Sequence, residues 1–363
     1  MAALQRLKHH DVDALLTWYK KHQRDFPWRK NPEPYWVWLA EIMSQQTVMA
    51  ALLPYFYRFI EKFPSVQKLA DAHEDEVLKA WTGLGYYSRA RNVHKAAKAV
   101  IANGGFPQTL DGLLALPGVG PYTAAAVASQ CFNVEEPVWD GNVTRVTSRL
   151  AARADIFTTA YRAEMQDSLR LKMAGRNSSH FNQALMELGA TVCTPKSPSC
   201  GRCPLQGACL AFANDSVQKY PPPKPRKKNI ELRCRVVVPL RVRGGEHQVW
   251  LTRRPEPFWF AGMWDFPSEL GGVASSVVSL ENLALKSAVE FGAVRHQITH
   301  HKITLVGFVE HQARVVGEGR WIGIDELLSD QTPVPLSTTA RKVLRSLMAW
   351  MARQTTQPEL GLA

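Results

Sequence analysis

Leu116-Pro117-Gly118-Val119-Gly120-Pro121-Tyr122-Thr123-Ala124 is the stretch from which the rest of the chain is most readily read. Two glycines two residues apart let the backbone come close to another body. Pro121 suits the first turn of a helix. The free N–H groups and positive end of that helix face the same turn, so the turn can accept a phosphate. The other reading is a plain tight turn between helices. Apolar residues on both sides recur at helical steps. Leu110–Leu116 and Tyr122–Ser129 form one predicted pair. Glu74–Trp81 and Ser88–Ile101 form another, separated by Gly83-Leu84-Gly85. Leu39, Ile42, Met43, Met49, Leu52, Leu53, Phe56, Phe59, Ile60 and Phe63 mark a buried helical face that Pro54 should kink or divide. Leu150–Lys172 and Phe181–Leu188 complete a helical block reaching from about Asp11 to Ala213.

Past that block the composition changes. Tyr220 to Lys228 is rich in proline and base, which is tether composition, with phosphate contact as the alternative use of its cations. Arg233–Arg243 and His247–Thr252 alternate around a Gly244-Gly245 turn, and Val294–Val309 reads as further strand. Leu280–Phe291 and Thr338–Met351 read as helices. The expected organisation is therefore an all-α domain over 1–215, a linker over 216–230, an α+β domain over 231–353 and a polar, frayed tail over 354–363.

The chain has 363 residues, with 44 Lys and Arg against 32 Asp and Glu, a formal charge of +12. With 45% hydrophobic residues it can bury a core, which excludes a disordered chain. No apolar run approaches the ~18 residues of a membrane span, and the charged start (Arg6, Lys8, Asp11, Asp13) is no secretory signal. The basic balance permits a polyanionic partner.

Four of six cysteines fall together as Cys193-x6-Cys200-x2-Cys203-x5-Cys209. In a reducing compartment such thiols read as metal ligands rather than disulfides. Valence alone allows a tetrahedral zinc or an iron–sulfur cluster. Lys196 and Arg202 inside the loop could meet phosphates. Asp140 opens the string Asp140-Gly141-Asn142-Val143-Thr144-Arg145-Val146, where an Asp before a helix commonly caps it. A carboxylate kept near a polyanion by a basic protein points instead to chemistry that develops positive charge. Glu41 and Gln45 share a helix face, and Gln46 and Thr47 open a polar window in an apolar run.

The glycine turn resembles a helix–hairpin–helix, which grips a DNA backbone without reading sequence. The cysteine spacing resembles the 4Fe–4S loop of the endonuclease III superfamily. Pro27-Trp28-Arg29, Glu41 to Thr47, Gly83 to Arg89, the hairpin, Asp140 to Arg145, Phe181 to Leu185 and the four cysteines together resemble the MutY-type adenine DNA glycosylases. The resemblance implies a monomeric, cytoplasmic, nucleoid-associated enzyme of base-excision repair that binds duplex DNA and removes adenine opposite 8-oxoguanine or guanine. It also implies a 4Fe–4S cluster on Cys193, Cys200, Cys203 and Cys209. By matching position, Glu41 is the general acid at adenine N7 and Asp140 stabilises or captures the oxocarbenium ion. Tyr122 and Asn142 orient this pair. Arg24, Trp28 and Arg29 match the adenine pocket, and Gln46, Thr47, Leu84 and Tyr86 match residues that intrude into the duplex. Gly118 and Gly120 hold the backbone.

Two alternatives are a glycosylase/lyase and a non-catalytic lesion binder. The lyase subfamily carries a lysine nucleophile at the position of Tyr122, and a phenol forms no Schiff base. Ser44 departs from the family's leucine, and Trp139 from its small aliphatic. The second domain resembles the family's Nudix-like recognition domain through Gly262 to Pro267, with Thr299 and His300 at the 8-oxoguanine contacts and Ile298 replacing an aromatic. No acidic metal-binding helix follows, so no pyrophosphatase activity is expected there.

Overall fold

The computed structural model describes residues 4–47, 49–225, 228–256, 258–271, 283–284, 287–311, 313–315, 317–329 and 332–356. They form two compact units, one of residues 1–71 with 92–224 and one of residues 72–91 with 225–363.

The first unit is helical. It begins with α1 (His9–His22), α2 (Pro27–Lys30), α3 (Pro34–Ser44), α4 (Met49–Lys62) and α5 (Val66–Asp71). After α6 (Glu74–Ala80), a helix of the second unit, α7 (Tyr87–Ala102) spans the unit boundary. The hairpin pair α8 (Leu110–Leu114) and α9 (Pro121–Phe132) comes next, then α10 (Gly141–Ala151), α11 (Thr159–Met173), α12 (Ser178–Thr191) and α13 (Leu210–Ala213). Val146, Leu150, Tyr161, Met165, Leu169, Phe181 and Leu185 close a common core, each buried side chain contributing about 1.5–3 kcal/mol. α3 is buried on every side from Val37 to Met43, so Glu41 is a carboxyl inside an apolar helix.

Two helical expectations change. The long apolar run does break, but at Gln45–Thr47 rather than Pro54, which lies inside α4. Gln46 takes a left-handed φ of 59°, which no helix can continue through. The expected helix Leu150–Lys172 is likewise two helices. Ala152 ends α10 at φ 50°, and Thr158 caps α11 by accepting from Tyr161 N.

In the second unit β1 (Ile230–Arg243) and β2 (Glu246–Arg253) form the glycine hairpin. With β3 (Trp264–Asp265), β4 (Ser268–Gly271), β6 (Val289–Ile298), β7 (His301–Glu310) and β9 (Arg320–Gly323) they build a mixed sheet. Its central pair, β1 with β7, is parallel. β5 (Leu283–Ala284) and β8 (Arg314–Val315) pair separately. α14 (Ile324–Leu328) follows β9, and α15 (Thr338–Thr356) packs on the sheet, with Val343, Leu344 and Leu347 buried against Val236, Leu305 and Val309.

The expected helix Leu280–Phe291 is not one. Residues 283–284 are strand paired with β8, and 289–291 open β6, which pairs with β7 and has Phe291 buried. Residues 280–282 and 285–286 lie outside the described residues. The strand Val294–Val309 is two strands turned at Thr299-His300. The segment expected as a tether over 216–230 begins inside the helical unit. Val217–Lys219 makes a helical turn, and Tyr220 O accepts from Arg149 Nε at 2.8 Å. Residues 226–227 of that stretch lie outside the described residues, as do 357–363 of the tail, whose residues 354–356 continue α15. Most of the segment after Pro267, where the acidic helix was sought, also lies outside them.

Candidate active site and cluster loop

One cavity of about 550 Å³ gathers residues from five separate stretches of the helical unit. Glu41, Ser44, Gln45, Gln46 and Thr47 line it from the end of α3. Arg24, Phe26, Trp28 and Arg29 come from α2 and the approach to it, Tyr122 and Gln130 from α9, and Trp139, Asp140 and Asn142 from the start of α10. Gln183, Met186, Glu187 and Ala190 come from α12.

The two carboxyls meet different neighbours. Tyr122 donates its hydroxyl to Glu41 Oε2 at 2.7 Å, and Gln130 Nε2 donates to Glu41 Oε1 at 3.1 Å. Burial pushes the Glu41 carboxyl above its ordinary value, and the Asp140 charge adds to that, against the Tyr122 and Gln130 hydrogen bonds. Asp140 caps α10. Its Oδ1 accepts from Val143 N at 2.7 Å and its Oδ2 from Asn142 Nδ2 at 2.8 Å. Burial raises its pKa too, while Val143, Asn142 and the nearby Arg145 favour its charged form. A helix N-terminus is a better seat for negative charge than the middle of an apolar helix. When the pair shares one proton, that proton therefore belongs on Glu41. Burial also lifts the Tyr122 phenol well above its ordinary range, so it stays a neutral hydroxyl.

Several lining residues carry no signal of their own in the sequence, and two of them bear on the charged groups. Glu187 is fully buried and takes Arg24 Nε at 2.7 Å, Arg24 Nη2 at 3.2 Å and Arg29 Nη2 at 2.8 Å. Burial pushes its carboxyl up, and the two arginines outweigh that and hold it below its usual range. Gln130 is the other. Trp28 stacks on Phe26 with centroids 5.0 Å apart and meets Phe56 edge-on, which makes a flat apolar wall. Trp139 lines the cavity and also packs edge-on against the core residue Tyr161. Ser44 Oγ donates back to Glu41 O at 2.9 Å, so its hydroxyl is satisfied within α3.

The hairpin is as the glycines suggest. Gly118 has φ 74°, and a Cβ there would lie 2.5 Å from Asn92 Cβ. Gly120 is the N-cap of α9, with nothing within 4 Å of where a Cβ would point, leaving that helix end open. In the second unit Leu84 is buried, while Tyr86, at φ 48°, is exposed beneath Arg89. Thr299 is exposed at the β6–β7 turn with φ 52°, and its hydroxyl lies 3.3 Å from His300 Nδ1. The His300 and His301 rings are 4.2 Å apart.

Cys193, Cys200, Cys203 and Cys209 all line one small apolar cavity. Among the described residues, no three Cys, His, Asp or Glu side chains converge closely enough to hold a single ion. Four thiols around a common apolar space are a donor set that a polynuclear cluster takes. Arg149, buried, donates to Cys193 Sγ at 3.3 Å and to the carbonyls of Thr194 and Pro195. Arg145 donates to Cys193 O, Gly189 O and Asn142 Oδ1. These cations would offset a cluster's negative charge. α10 and α12 approach so closely that a Cβ on Gly189 would fall 2.6 Å from Asn142 Cβ and 3.0 Å from its Cα.

Comparison with known proteins agrees with this geometry. Residues 39–170 match the family described as HhH-GPD superfamily base excision DNA repair protein, residues 193–209 the iron-sulfur binding domain of endonuclease III, and residues 238–345 the NUDIX domain. The cysteine loop thus holds a 4Fe–4S cluster. An adenine DNA glycosylase of Rattus norvegicus is 32% identical over 91% of this chain and 76% of its own length. One from Buchnera aphidicola is 34% identical over 70% of this chain and 73% of its own. Among solved structures, a thermostable thymine-DNA glycosylase covers 59% of this chain and all of its own, with a TM-score of 0.54 and 26% identity. An endonuclease III–DNA complex shares the fold of the same portion, with a TM-score of 0.50 and 24% identity. With more than two thirds of each of these two relatives spanned at this identity, the chain belongs to the adenine DNA glycosylase family.

Proposed function

We propose that this protein excises adenine from duplex DNA where it is mispaired with 8-oxoguanine or guanine, by hydrolysing the N-glycosidic bond. The observation that carries the reading is the pair Glu41 and Asp140, brought from separate helices to one cavity, the first within a helix and the second at a helix N-terminus. The adenine leaves the helix stack before a side chain can reach it. The cavity's Trp28 wall gives the extruded base an apolar face to lie on, and Arg24 and Arg29, fixed by Glu187, present donors beside it.

Glu41, kept protonated by burial, delivers its proton to N7, so the base departs neutral. As the bond breaks, positive charge grows on the sugar. Asp140, held by Val143 N and Asn142, faces that charge and stabilises or captures it. Water then completes the hydrolysis. The 4Fe–4S cluster is carried by the four cysteines, and Arg145 and Arg149 tie their loop to α10. The hairpin at Gly118 and Gly120 takes DNA phosphate. Gln46, Thr47 and the exposed Tyr86 enter the duplex, and Thr299 and His300 read the partner base. The protein acts as a monomer. No helix among the described residues is long and apolar enough to cross a membrane.

The test is a labelled duplex with one adenine opposite 8-oxoguanine, treated with protein and then hot alkali. Cleavage at the adenine is expected. An uncut strand bound by the protein would favour the lesion-binder reading. Borohydride added during turnover should trap no covalent adduct, because Tyr122 stands where a lyase needs an amine; a trapped complex would establish the lyase reading.

A further inference from the structure

We infer that Gln130 is a positioning residue for the acid step, fixing which oxygen of Glu41 carries the proton. The inference rests on the adenine-excision reading and goes beyond it. Gln130 closes α9 two turns after Tyr122 and lines the same cavity. Its amide nitrogen has only hydrogens to offer, and it offers one to Glu41 Oε1 at 3.1 Å. That oxygen must accept, and the carbonyl oxygen of a neutral carboxyl accepts better than its hydroxyl oxygen. The proton of the neutral acid then sits on Oε2, the oxygen 2.7 Å from the Tyr122 hydroxyl.

A hydroxyl can donate or accept. Tyr122 OH also lies 3.5 Å from Met186 Sδ, so it has a second acceptor to turn toward when Oε2 is protonated. Gln130, with its nitrogen turned to Oε1, can only donate there. The two partners are therefore not equivalent. Gln130 orients the carboxyl, and Tyr122 adapts to its protonation.

The groups facing Glu41 are Tyr122, Gln130 and Cys131 from α9, Asp140 from the start of α10 and Arg29 from α2. The Gln130 hydrogen bond favours the charged carboxylate, so losing it leaves Glu41 protonated to higher pH. The acid is needed in its protonated form, so excision falls as pH rises through its pKa. Removing the donor moves that basic limb upward.

The experiment compares pH profiles of kcat/KM for adenine excision in the wild-type protein, Gln130→Met and Gln130→Glu. Methionine keeps the length and removes the donor. Glutamate keeps length and polarity but offers an acceptor. Visible cluster absorption and the urea midpoint report whether each variant is folded. The limb is expected to rise by about one pH unit in Gln130→Met, the size of a lost hydrogen bond to a charged group, and further in Gln130→Glu. Folded variants whose limb stays in place, or moves down, overturn the assignment even if their rate falls, because packing loss alone lowers rate without moving the limb. If one variant fails to fold, the other decides. Absence of excision by the wild-type protein would instead overturn the functional reading on which the assignment stands.

Discussion

The proposed mechanism gives Asp140, the cap of α10, a second job that substitution can separate from the first. One oxygen accepts from Val143 N at 2.7 Å and caps α10; the other accepts from Asn142 Nδ2 at 2.8 Å in the cavity. Asparagine keeps the Val143 cap but turns an amide N–H toward Asn142 Nδ2, so Asp140→Asn should lose about 0.5 kcal/mol, whereas Asp140→Ala, without cap or partner, should lose about 1 kcal/mol or more. Urea denaturation reads both values. The charge is a separate matter. A carboxylate about 4 Å from a developing cation, at an effective dielectric near 20, contributes about 4 kcal/mol. That corresponds to about 10³ in rate. Both variants should therefore lose excision in single-turnover assays by about that factor, with duplex affinity changed less than about threefold. An asparagine variant within tenfold of the wild-type rate would show that the charge at 140 is not what the reaction uses. An asparagine variant as unstable as the alanine one would remove the capping argument.

Glu187→Gln leaves Arg24 and Arg29 facing each other without a counter-charge. The Arg29 pair is well buried, while Arg24 is 40% exposed and largely screened, so the loss belongs at the low end of a broken buried pair, about 3 kcal/mol in urea. Because the folded Glu187 pKa is depressed, its contribution is present above the ordinary carboxylate range and lost as pH falls through the folded value. The wild-type and variant midpoints should converge on acidification. Gly118→Ala forces a side chain to φ 74° and into Asn92, so it should cost about 2 kcal/mol and weaken duplex binding, read by gel shift. Cys203→Ser removes one cluster ligand and should lower both bound iron and visible absorption, measured on the purified protein.

The parts legible in sequence were those whose signals are local. The glycine hairpin, the cysteine spacing and the capping Asp140 each sit within a short window, and Glu41 stood out as a carboxyl in an apolar helix. Glu187 did not, because its meaning depends on Arg24 and Arg29, which lie far from it in the chain and meet it only in the fold. Gln130 was hidden for the same reason. The break at Gln45–Thr47 escaped notice because Pro54 is the stronger local signal, yet a backbone turned left-handed at Gln46 ends the helix first. In the second unit, the stretch ending at Phe291 has residues that suit either state, and pairing with β7 decided it.

Gly189 matters for the side chain it lacks. It works as a shim of no thickness between two rods, since a single methyl there would collide with the backbone of Asn142 and wedge α10 away from α12. Asn142 in turn holds the oxygen of Asp140. The alignment of the reacting centre is thus gauged by an atom that is not there, on a residue hidden from solvent, and a fault at that spot would reach the chemistry without altering any group that takes part in it.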